Sequence, residues 1–440
     1  MARRNALSDL QRPVLDRQMD RVVEASIYAF VLGTLVWRRR TGADIEAEAV
    51  DGAAAVRIAF DVIAAVLAFA TLVAPTTRTL FERTRARPAL LYYTGYTVLV
   101  TLGALVALEP GIVLFRGFEF AIMIVIGLAA VRRLNGTQIV TVCRRVLLLL
   151  FVLIVFGLAV NPAGAFWATG GIIPFRLEGG FPLFSANSVG TIGTLLFAFG
   201  LARRARFDVT LGLALTVLSQ YRTGYVIAAV VFATWLLFRK GVANRLMLVV
   251  SVPLAVWLVS SSVFSEAWSR GEDSVESLSG RTDIWATAAA VAERSPWIGT
   301  GLSSGFRFEV VPALPAWFSN SSLGSAHNTW VEAYLGVGII GVVLLAIYTL
   351  YAVRVSIQAR GVLMAPLLIV VATMVRTITG STFDIPGWYG LVFLLLVIGA
   401  AVSRPITNIG RDSRRNIPSD DRTHRFSLLR VPGDPLTDRS

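Results

Sequence analysis

The stretch "SAHNTWVEAYLGVGIIGVVLLAIYTLYA", residues 325–352, decides what kind of protein this chain forms. Its only side chain that is charged at neutral pH is Glu332, and most of the others are aliphatic, aromatic or small. A helix needs about 20 mainly apolar residues to cross the hydrocarbon core of a bilayer, which is about 30 Å thick. The stretch therefore predicts a membrane-spanning helix that begins just after His327.

Apolar runs of this kind recur through the chain and predict about twelve transmembrane helices. Hydrophobic residues make up 55% and charged residues 16% of the sequence, whereas soluble domains carry about 25% charged residues. The fold class that we predict is therefore an all-α polytopic membrane protein. The runs that cross, or nearly cross, a bilayer lie at 22–37, 58–75, 89–108, 111–131, 146–160, 188–202, 208–221, 223–238, 246–261, 328–352, 361–379 and 388–403.

The basic residues between these runs predict the topology, because cytoplasmic loops collect arginine and lysine. Gaps rich in basic residues alternate with gaps that carry few of them, which places both termini in the cytoplasm. The gap at 38–57 departs from this pattern, since it should lie outside and yet contains four arginines beside four acidic residues. The basic gaps contain Arg78, Arg83, Arg85 and Arg87; Arg132, Arg133, Arg144 and Arg145; Arg203, Arg204 and Arg206; Arg239, Lys240 and Arg245; and Arg354 and Arg360.

The predicted topology divides the chain into five segments. The largest external segment contains "RTDIWATAAAVAE", whose composition favours a helix, so we expect the extracytoplasmic loop to be partly helical. The C-terminal segment, which includes His424, is polar and charged and is predicted to be disordered. The segments are a cytoplasmic tail at 1–21, transmembrane helices one to nine at 22–261, the extracytoplasmic loop at 262–327, helices ten to twelve at 328–403, and a cytoplasmic tail at 404–440.

Composition and motifs exclude several classes of protein. The formal net charge is +13, but the basic residues lie in short gaps between apolar runs instead of along one face, which argues against nucleic-acid binding. A single cysteine, Cys143, excludes an intrachain disulfide and a cysteine-based metal cluster. The sequence contains no P-loop, no H-E-x-x-H and no nucleophile elbow, so ATP-driven transport and metalloprotease activity are unsupported.

Three polar features on the predicted outer side are candidates for chemistry. Arg222 lies in the turn "LSQYRTGYV", Arg281 lies in the first turn of a predicted loop helix in "LSGRTDIW", and His327 with Asn328 starts the long apolar run. A neutral imidazole at a helix start, where the macrodipole disfavours the charged form, can act as a general base. Each feature also has a structural interpretation: a snorkelling arginine, a surface salt bridge, and a histidine without a catalytic role.

Two arginines and a neutral base at a membrane surface predict an anionic lipid substrate. Guanidinium groups bind phosphate oxygens in bidentate fashion, and a polyprenyl tail would remain in the bilayer. Diphosphate is a good leaving group once its charge is compensated, so this interpretation requires no metal and no cofactor. The predicted donor is therefore a polyprenyl diphosphate.

Five motifs occur in order between about 180 and 345: "FPLFSANSVGTIG", "SQYRTG", "SGRTDIW", "SPWIGTGLSSGF" and "AHNTWVEAYLGVGIIG". Their order and spacing resemble those of the O-antigen ligase and polymerase superfamily. The resemblance implies about twelve helices, a large extracytoplasmic loop, and an inverting transfer of a glycan from a polyprenyl diphosphate carrier without metal or nucleotide. It further implies an enzyme of the cell membrane whose active site faces away from the cytoplasm.

By this resemblance His327 would activate the acceptor hydroxyl, while Arg222 and Arg281 would bind the diphosphate. The acceptor, a glycan or a glycolipid, is left open, and so is the choice between a ligase and a polymerase. Further residues are candidates for supporting roles in the site: Asn187, Asn328, Asp283, Glu332 and Arg376.

Two other hypotheses remain open from the sequence. A secondary transporter would place charges and broken helices near the membrane midplane and would show inverted repeats, but the sequence has no convincing internal repeat. A different polytopic glycosyltransferase, with a polyprenyl-monophosphate sugar donor, would use Asp44, Glu46 and Glu48 as an acidic site. Inside the membrane, Arg116 and Glu119 are spaced i, i+3 and are expected to neutralise each other.

Overall fold

The computed structural model describes residues 2–37, 52–75, 80–168, 174–239, 241, 247, 281–314 and 325–403. These residues form a predominantly helical bundle, which confirms the all-α class. Twelve of its helices have twelve residues or more: α1 (Ala2–Gly33), α2 (Gly52–Val73), α3 (Leu80–Leu102), α4 (Pro110–Arg133), α5 (Gly136–Val160), α6 (Ala186–Arg203), α7 (Arg206–Leu218), α8 (Arg222–Phe238), α9 (Arg281–Ala292), α10 (Thr329–Ala359), α11 (Met364–Thr379) and α12 (Trp388–Val402).

The lengths and compositions of these helices are those of a membrane protein. Among the described residues, five helices are long and apolar enough to cross a bilayer, namely α2, α3, α4, α5 and α10. The helices α8, α11 and α12 are apolar but shorter. Eleven of the twelve predicted runs overlap helices, and the run at 246–261 lies outside the described residues apart from Met247. The chain is therefore a membrane protein with several transmembrane helices.

Three helices begin well before their apolar runs. Helix α5 begins at Gly136, ten residues before the run at 146–160. Helix α1 begins at Ala2, about twenty residues before the run at 22–37, and α3 begins at Leu80, before the run at 89–108. The added turns contain many arginines and several leucines, which are good helix formers. An apolar run thus predicts which part of a helix can lie in the bilayer, but it does not predict where the helix begins.

Two helices are buried around their whole circumference and form the centre of the bundle. Residues 189–201 of α6 and 389–401 of α12 are buried without interruption. Helix α12 packs against α3, α4, α5, α10 and α11. A helix that is apolar on all sides is expected in the interior of a bundle, so these two helices position the others.

Helix α10 is interrupted at Gly338, within the run at 328–352 that the sequence predicted as one transmembrane helix. The φ and ψ angles there are +70° and −169°, a combination that is essentially restricted to glycine. The loop segment 296–301 replaces the missing helical hydrogen bonds. The N–H groups of Ile339 and Ile340 donate to the carbonyls of Pro296 and Trp297, and those of Thr300 and Gly301 donate to the carbonyls of Leu335 and Gly336, over 2.8–3.4 Å.

Two short antiparallel strand pairs connect α5 to α6. Strand β1 (Phe166–Ala168) pairs with β2 (Phe175–Leu177), and β3 (Gly179–Gly180) pairs with β4 (Leu183–Phe184). Helix α9 confirms the predicted helix in the segment 262–327, of which 262–280 and 315–324 lie outside the described residues. The acidic segment at 44–48 and the C-terminal tail at 404–440 also lie outside them.

Candidate active site

The C-terminal end of α11 is held by the first residues of two other helices. Arg281, which begins α9, donates from Nη1 to the carbonyl oxygen of Thr379 over 3.1 Å. Asn328, which caps α10, donates from Nδ2 to the carbonyl oxygen of Ile378 over 3.1 Å. The last carbonyls of a helix have no partner within it, so these two side chains satisfy them and fix α9 and α10 beside α11.

Arg376, in the last turn of α11, contacts residues near the starts of two more helices. Its Nη1 donates to the hydroxyl of Tyr221, the residue before α8, over 2.9 Å. The same nitrogen donates to the hydroxyl of Thr191 in the second turn of α6. The guanidinium also lies over the Tyr389 ring, 5.1 Å from its centroid. The starts of α6, α8, α9 and α10 therefore surround one end of α11.

This convergence makes the region suitable for an anion. Each helix N-terminus carries about half a positive charge and unpaired backbone N–H groups, which together bind phosphate and carboxylate groups readily. Arg222, Arg281 and Arg376 add three guanidinium groups at or near these helix ends. These positive groups suit a ligand that carries negative charge.

His327 lies at the start of α10 in an uncommon backbone conformation. Its φ is +53°, in the left-handed region that few non-glycine residues adopt, although histidine and asparagine tolerate it better than most. Its Nδ1 lies 3.4 Å from the Ser325 hydroxyl, which leaves Nε2 for a substrate. Burial, helped by the charges of Arg281 and Arg376, lowers the pKa of His327 to about 4. The imidazole is therefore neutral at pH 7, chiefly because of burial and not because of the macrodipole.

The peptide before His327 is held from both sides. The buried Glu332, in the first turn of α10, accepts a hydrogen bond from the N–H of Ala326. The indole Nε1 of Trp285, in α9, donates to the carbonyl oxygen of Ala326 over 2.8 Å. These two bonds fix the chain that carries His327. Glu332 is thus connected to His327 through the backbone of Ala326.

Asn328 and Thr329 fix the beginning of α10. The Asn328 Oδ1 accepts from the N–H groups of Trp330 and Val331 over 2.9 and 3.2 Å, so its side chain caps the helix. The Thr329 hydroxyl lies 2.9 Å from Asp384 Oδ1. Because the Asn328 amide is occupied on both sides, the structure gives it the role of aligning α10 with α11.

Arg281 lies close enough to His327 and Arg376 for its charge to interact with both. Burial lowers the pKa of its guanidinium, and Arg376 adds to this effect, but an arginine stays charged at neutral pH. Arg222 follows Tyr221 directly and begins α8, a half-buried position on a helix that packs against α6 and α11. All three arginines thus lie on helices that meet at the end of α11.

Two predicted supporting residues lie less centrally. Asn187 is half-buried in the first turn of α6, where its carbonyl oxygen accepts from the Thr191 hydroxyl over 2.6 Å. Asp283 is exposed in the first turn of α9, while Ile284 and Ala288 on the same helix are buried. Asn187 therefore adjoins the Arg376 contact through Thr191, and Asp283 faces away from the core of the loop.

Sequence reasoning did not single out Tyr221 or Thr191, although both contact Arg376. Two glycines that lie next to Tyr221 in space, Gly190 and Gly224, could have indicated its position. A Cβ atom at Gly190 or at Gly224 would overlap the Tyr221 side chain, and only spatial proximity explains why both positions lack one. Thr191 carries no comparable signal, because threonines are common in transmembrane helices of this kind.

The described part of the chain brings together no group of three His, Cys, Asp or Glu side chains that could hold a metal ion. The alternative acidic site at Asp44, Glu46 and Glu48 lies outside that part of the chain. The charged groups at the end of α11 are mainly cationic, which suits an anion directly.

Comparison with known proteins identifies part of the chain. Residues 209–346 match the family model described as O-antigen ligase. This segment covers about a third of the chain and includes Arg222, Arg281, His327 and Glu332, but not Asn187 or Arg376. A search of curated proteins found no match.

Proposed function

We propose that this chain, whose residues 209–346 match the O-antigen ligase family model, transfers a glycan from a polyprenyl diphosphate carrier to an acceptor hydroxyl. The reaction takes place on the extracytoplasmic face of the cell membrane. The observation that carries this proposal is the neutral, half-buried His327 near two guanidinium groups at a point where four helices begin.

The arginines provide the donor site in this proposal. The diphosphate lies against Arg281 and Arg222, which neutralise its negative charge and stabilise the further charge that develops as it leaves. Arg376, fixed by Tyr221 and Thr191, adds a third positive charge from the side of α11. The polyprenyl chain stays in the bilayer, so the carrier needs no soluble pocket.

His327 acts as the general base of a single displacement. The acceptor oxygen attacks the anomeric carbon of the donor from the face opposite the diphosphate, and its proton moves to Nε2 of His327. The bond between the anomeric carbon and the phosphate oxygen breaks, and the electron pair leaves with the polyprenyl diphosphate. One displacement inverts the anomeric configuration. The arginines compensate the charge of the leaving group, so the reaction needs no cofactor.

The direct test is transfer by purified protein in lipid vesicles, with a glycan on a polyprenyl diphosphate as donor and mass spectrometry of the products. We expect glycan transfer with release of the polyprenyl diphosphate, and the same rate after treatment with a chelator. Transfer that requires added metal would contradict the mechanism. A substrate flux that survives the substitution His327→Ala would favour a transporter instead.

Replacing Arg281 with alanine should weaken the use of the donor. A hydrogen bond to a charged group contributes about 1.5–3 kcal/mol, so kcat/KM for the donor should fall at least about 10-fold, and Arg281→Lys should recover only part of it. The same loss is expected for Arg222→Ala. Arg294 is the matched control, because it lies just after α9, is largely exposed and pairs with Glu309 over 3.5 Å. Equal rates for Arg281→Ala and Arg294→Ala would remove Arg281 from the donor site.

The pH dependences of kcat/KM and kcat should differ, because the first reports the pKa of His327 in the free enzyme and the second its pKa in the complex with donor. The pKa of His327 in the free protein is about 4, and an imidazolium cannot accept a proton, so kcat/KM should decline as the pH falls towards 4. A bound diphosphate adds negative charge and raises this pKa, so the decline of kcat should begin at a higher pH. Arg281→Ala removes a positive neighbour and should shift the kcat/KM profile upward in pH. If kcat/KM of the Arg281→Ala variant declines over the same acidic pH range as that of the unmodified chain, a group other than His327 is titrating.

A further inference from the structure

The hairpin of β1 and β2 presents an exposed tryptophan beside an ion pair. Trp167 lies directly opposite Arg176 in the register of the two strands, and Glu178 follows Arg176 by two residues, so the three side chains share one face of the hairpin. Arg176 donates to Oε1 of Glu178 from Nε over 3.2 Å and from Nη2 over 2.9 Å. Both bonds go to one oxygen, which leaves Oε2 of Glu178 for a further donor. These three residues form the hairpin face.

The hairpin lies outside the hydrocarbon core of the bilayer. Strands β1 and β2 form a two-stranded sheet, so each strand has one edge that no other strand of the described residues covers. Open sheet edges do not occur in lipid, because their backbone groups would lack hydrogen-bond partners there. Trp167 is nevertheless 57% exposed, although tryptophan is usually largely buried. Its ring is therefore available to a partner from the polar region outside the acyl chains.

The hairpin adjoins the candidate donor site. The Nε2 of Gln220 donates to the carbonyl oxygen of Phe175 in β2 over 2.6 Å. Tyr221, the next residue, contacts Arg376. Arg222 follows it, and its Cα lies at most about 7.6 Å from that of Gln220, since each step along the chain spans about 3.8 Å. The turn that carries Arg222 is thus bonded directly to β2, which also packs beside α6 and α7.

The hairpin face has the composition of a surface for sugars. A pyranose ring has a face of C–H groups and a rim of hydroxyl groups. The C–H face packs on an aromatic ring, whose face carries partial negative charge, and the hydroxyls exchange hydrogen bonds with planar charged groups such as guanidinium and carboxylate. Trp167 offers the ring, and the pair of Arg176 and Glu178 offers both donors and acceptors. Because the two charges of the pair cancel, the face suits neutral hydroxyls better than a phosphate.

We propose that the hairpin face binds the glycan of the lipid-linked donor. This inference rests on the proposed function, in which Arg222 and Arg281 hold the diphosphate of the carrier. The glycan is covalently attached to that diphosphate, so its first sugars emerge beside the turn that contacts β2. The donor glycan is therefore the sugar chain that meets Trp167. The hairpin selects donors by their glycan, while the arginines recognise the carrier whatever glycan it bears.

The test compares two probes that share a diphosphate and differ in sugar. One is the lipid-linked glycan purified from the membranes of cells that lack this protein, and the other is farnesyl diphosphate, which carries no sugar. Their binding to the detergent-solubilised full chain is measured by native mass spectrometry. Trp167→Ala should weaken binding of the lipid-linked glycan at least about 5-fold, the loss of one aromatic contact, and leave that of farnesyl diphosphate unchanged. Trp167→Phe keeps a ring and should recover part of the loss.

A second substitution on the same face tests the polar half of the subsite. Glu178→Gln keeps the shape of the side chain, but a hydrogen bond to a neutral acceptor is about half as strong as one to a carboxylate. We expect the lipid-linked glycan to bind about 5-fold more weakly, again with no change for farnesyl diphosphate. Phe156 is the control, because it is an exposed aromatic residue on α5, the helix that precedes the hairpin. Phe156→Ala should bind both probes as the unmodified chain does.

Tryptophan also anchors proteins at the membrane interface, and this alternative predicts a different result. If Trp167→Ala weakens binding of both probes alike, or of neither, the ring acts through the fold or the bilayer and the proposal is overturned. A loss that appears only in the KM for the acceptor, measured in the transfer assay, would overturn the assignment to the donor.

Failure of the proposed function would look different from failure of this inference. If Arg281→Ala weakens binding of both probes while Trp167→Ala weakens that of neither, only the hairpin subsite is overturned. If cells that lack the protein accumulate no lipid-linked glycan, and Arg281→Ala binds farnesyl diphosphate as tightly as the unmodified chain, the proposed function itself fails.

Discussion

Replacing His327 with asparagine should reduce kcat by about 100-fold to 10,000-fold, the range that general base catalysis contributes. Asparagine tolerates the left-handed region, so the backbone at φ +53° is retained and only the proton acceptor is lost. His327→Ala should cost at least as much, since alanine adopts this conformation less readily. The measurement is the rate of glycan transfer in vesicles at saturating donor.

The control for this prediction is the chain's only other histidine, His424, whose replacement by alanine should leave the rate unchanged. Binding of the donor to the His327→Asn variant should remain close to that of the unmodified chain, because Arg222 and Arg281 are intact. A variant that binds donor and still transfers glycan within about threefold of the original rate would rule out His327 as the base.

Replacing Gly338 with alanine should destabilise the protein and abolish most transfer. The backbone angles there are accessible essentially to glycine alone, and a residue forced into such a region costs about 1–3 kcal/mol. A Cβ atom would also overlap the backbone of Trp297, so the loop segment 296–301 must move away from α10. We expect a lower thermal unfolding temperature in detergent together with loss of activity.

Gly361 provides a matched substitution in the turn after α10. A Cβ atom there would meet no other atom within 4 Å, and its φ is not positive, so Gly361→Ala should leave both the unfolding temperature and the transfer rate unchanged. If Gly338→Ala behaves like Gly361→Ala, the interruption of α10 is not required for the native structure.

The sequence was sufficient to predict the helices because lipid imposes a simple requirement. A crossing helix needs a long apolar run, and eleven such runs overlap described helices. The break at Gly338 was not predicted, because its cause lies in the loop segment 296–301, which supplies the missing hydrogen bonds from elsewhere in the chain. Small residues such as Gly336, Gly338 and Gly341 are typical of close packing between transmembrane helices, but they do not identify the partner that approaches.

The candidate site was predicted only in part for a similar reason. Arg281, His327 and Asn328 stood out as polar residues at the ends of apolar runs. The contact of Arg376 with Tyr221 joins residues 155 positions apart, and no local pattern records it. Glu332 was noticed as a buried charge, but its role depends on the fold that brings it to the N–H of Ala326.

The turn at Gly338 also sets the height of His327 in the membrane. Helices α10 and α11 leave the same short connection, and their far ends meet where Asn328 contacts Ile378. With a rise of about 1.5 Å per residue, the 31 residues of α10 would extend about 46 Å if straight, and the 16 residues of α11 only about 24 Å. A straight α10 would carry His327 about 20 Å beyond Arg376, out of reach of a diphosphate held there. In the proposed mechanism, the bend therefore brings the base at the start of the long helix α10 to the same level as the cation at the end of the short helix α11.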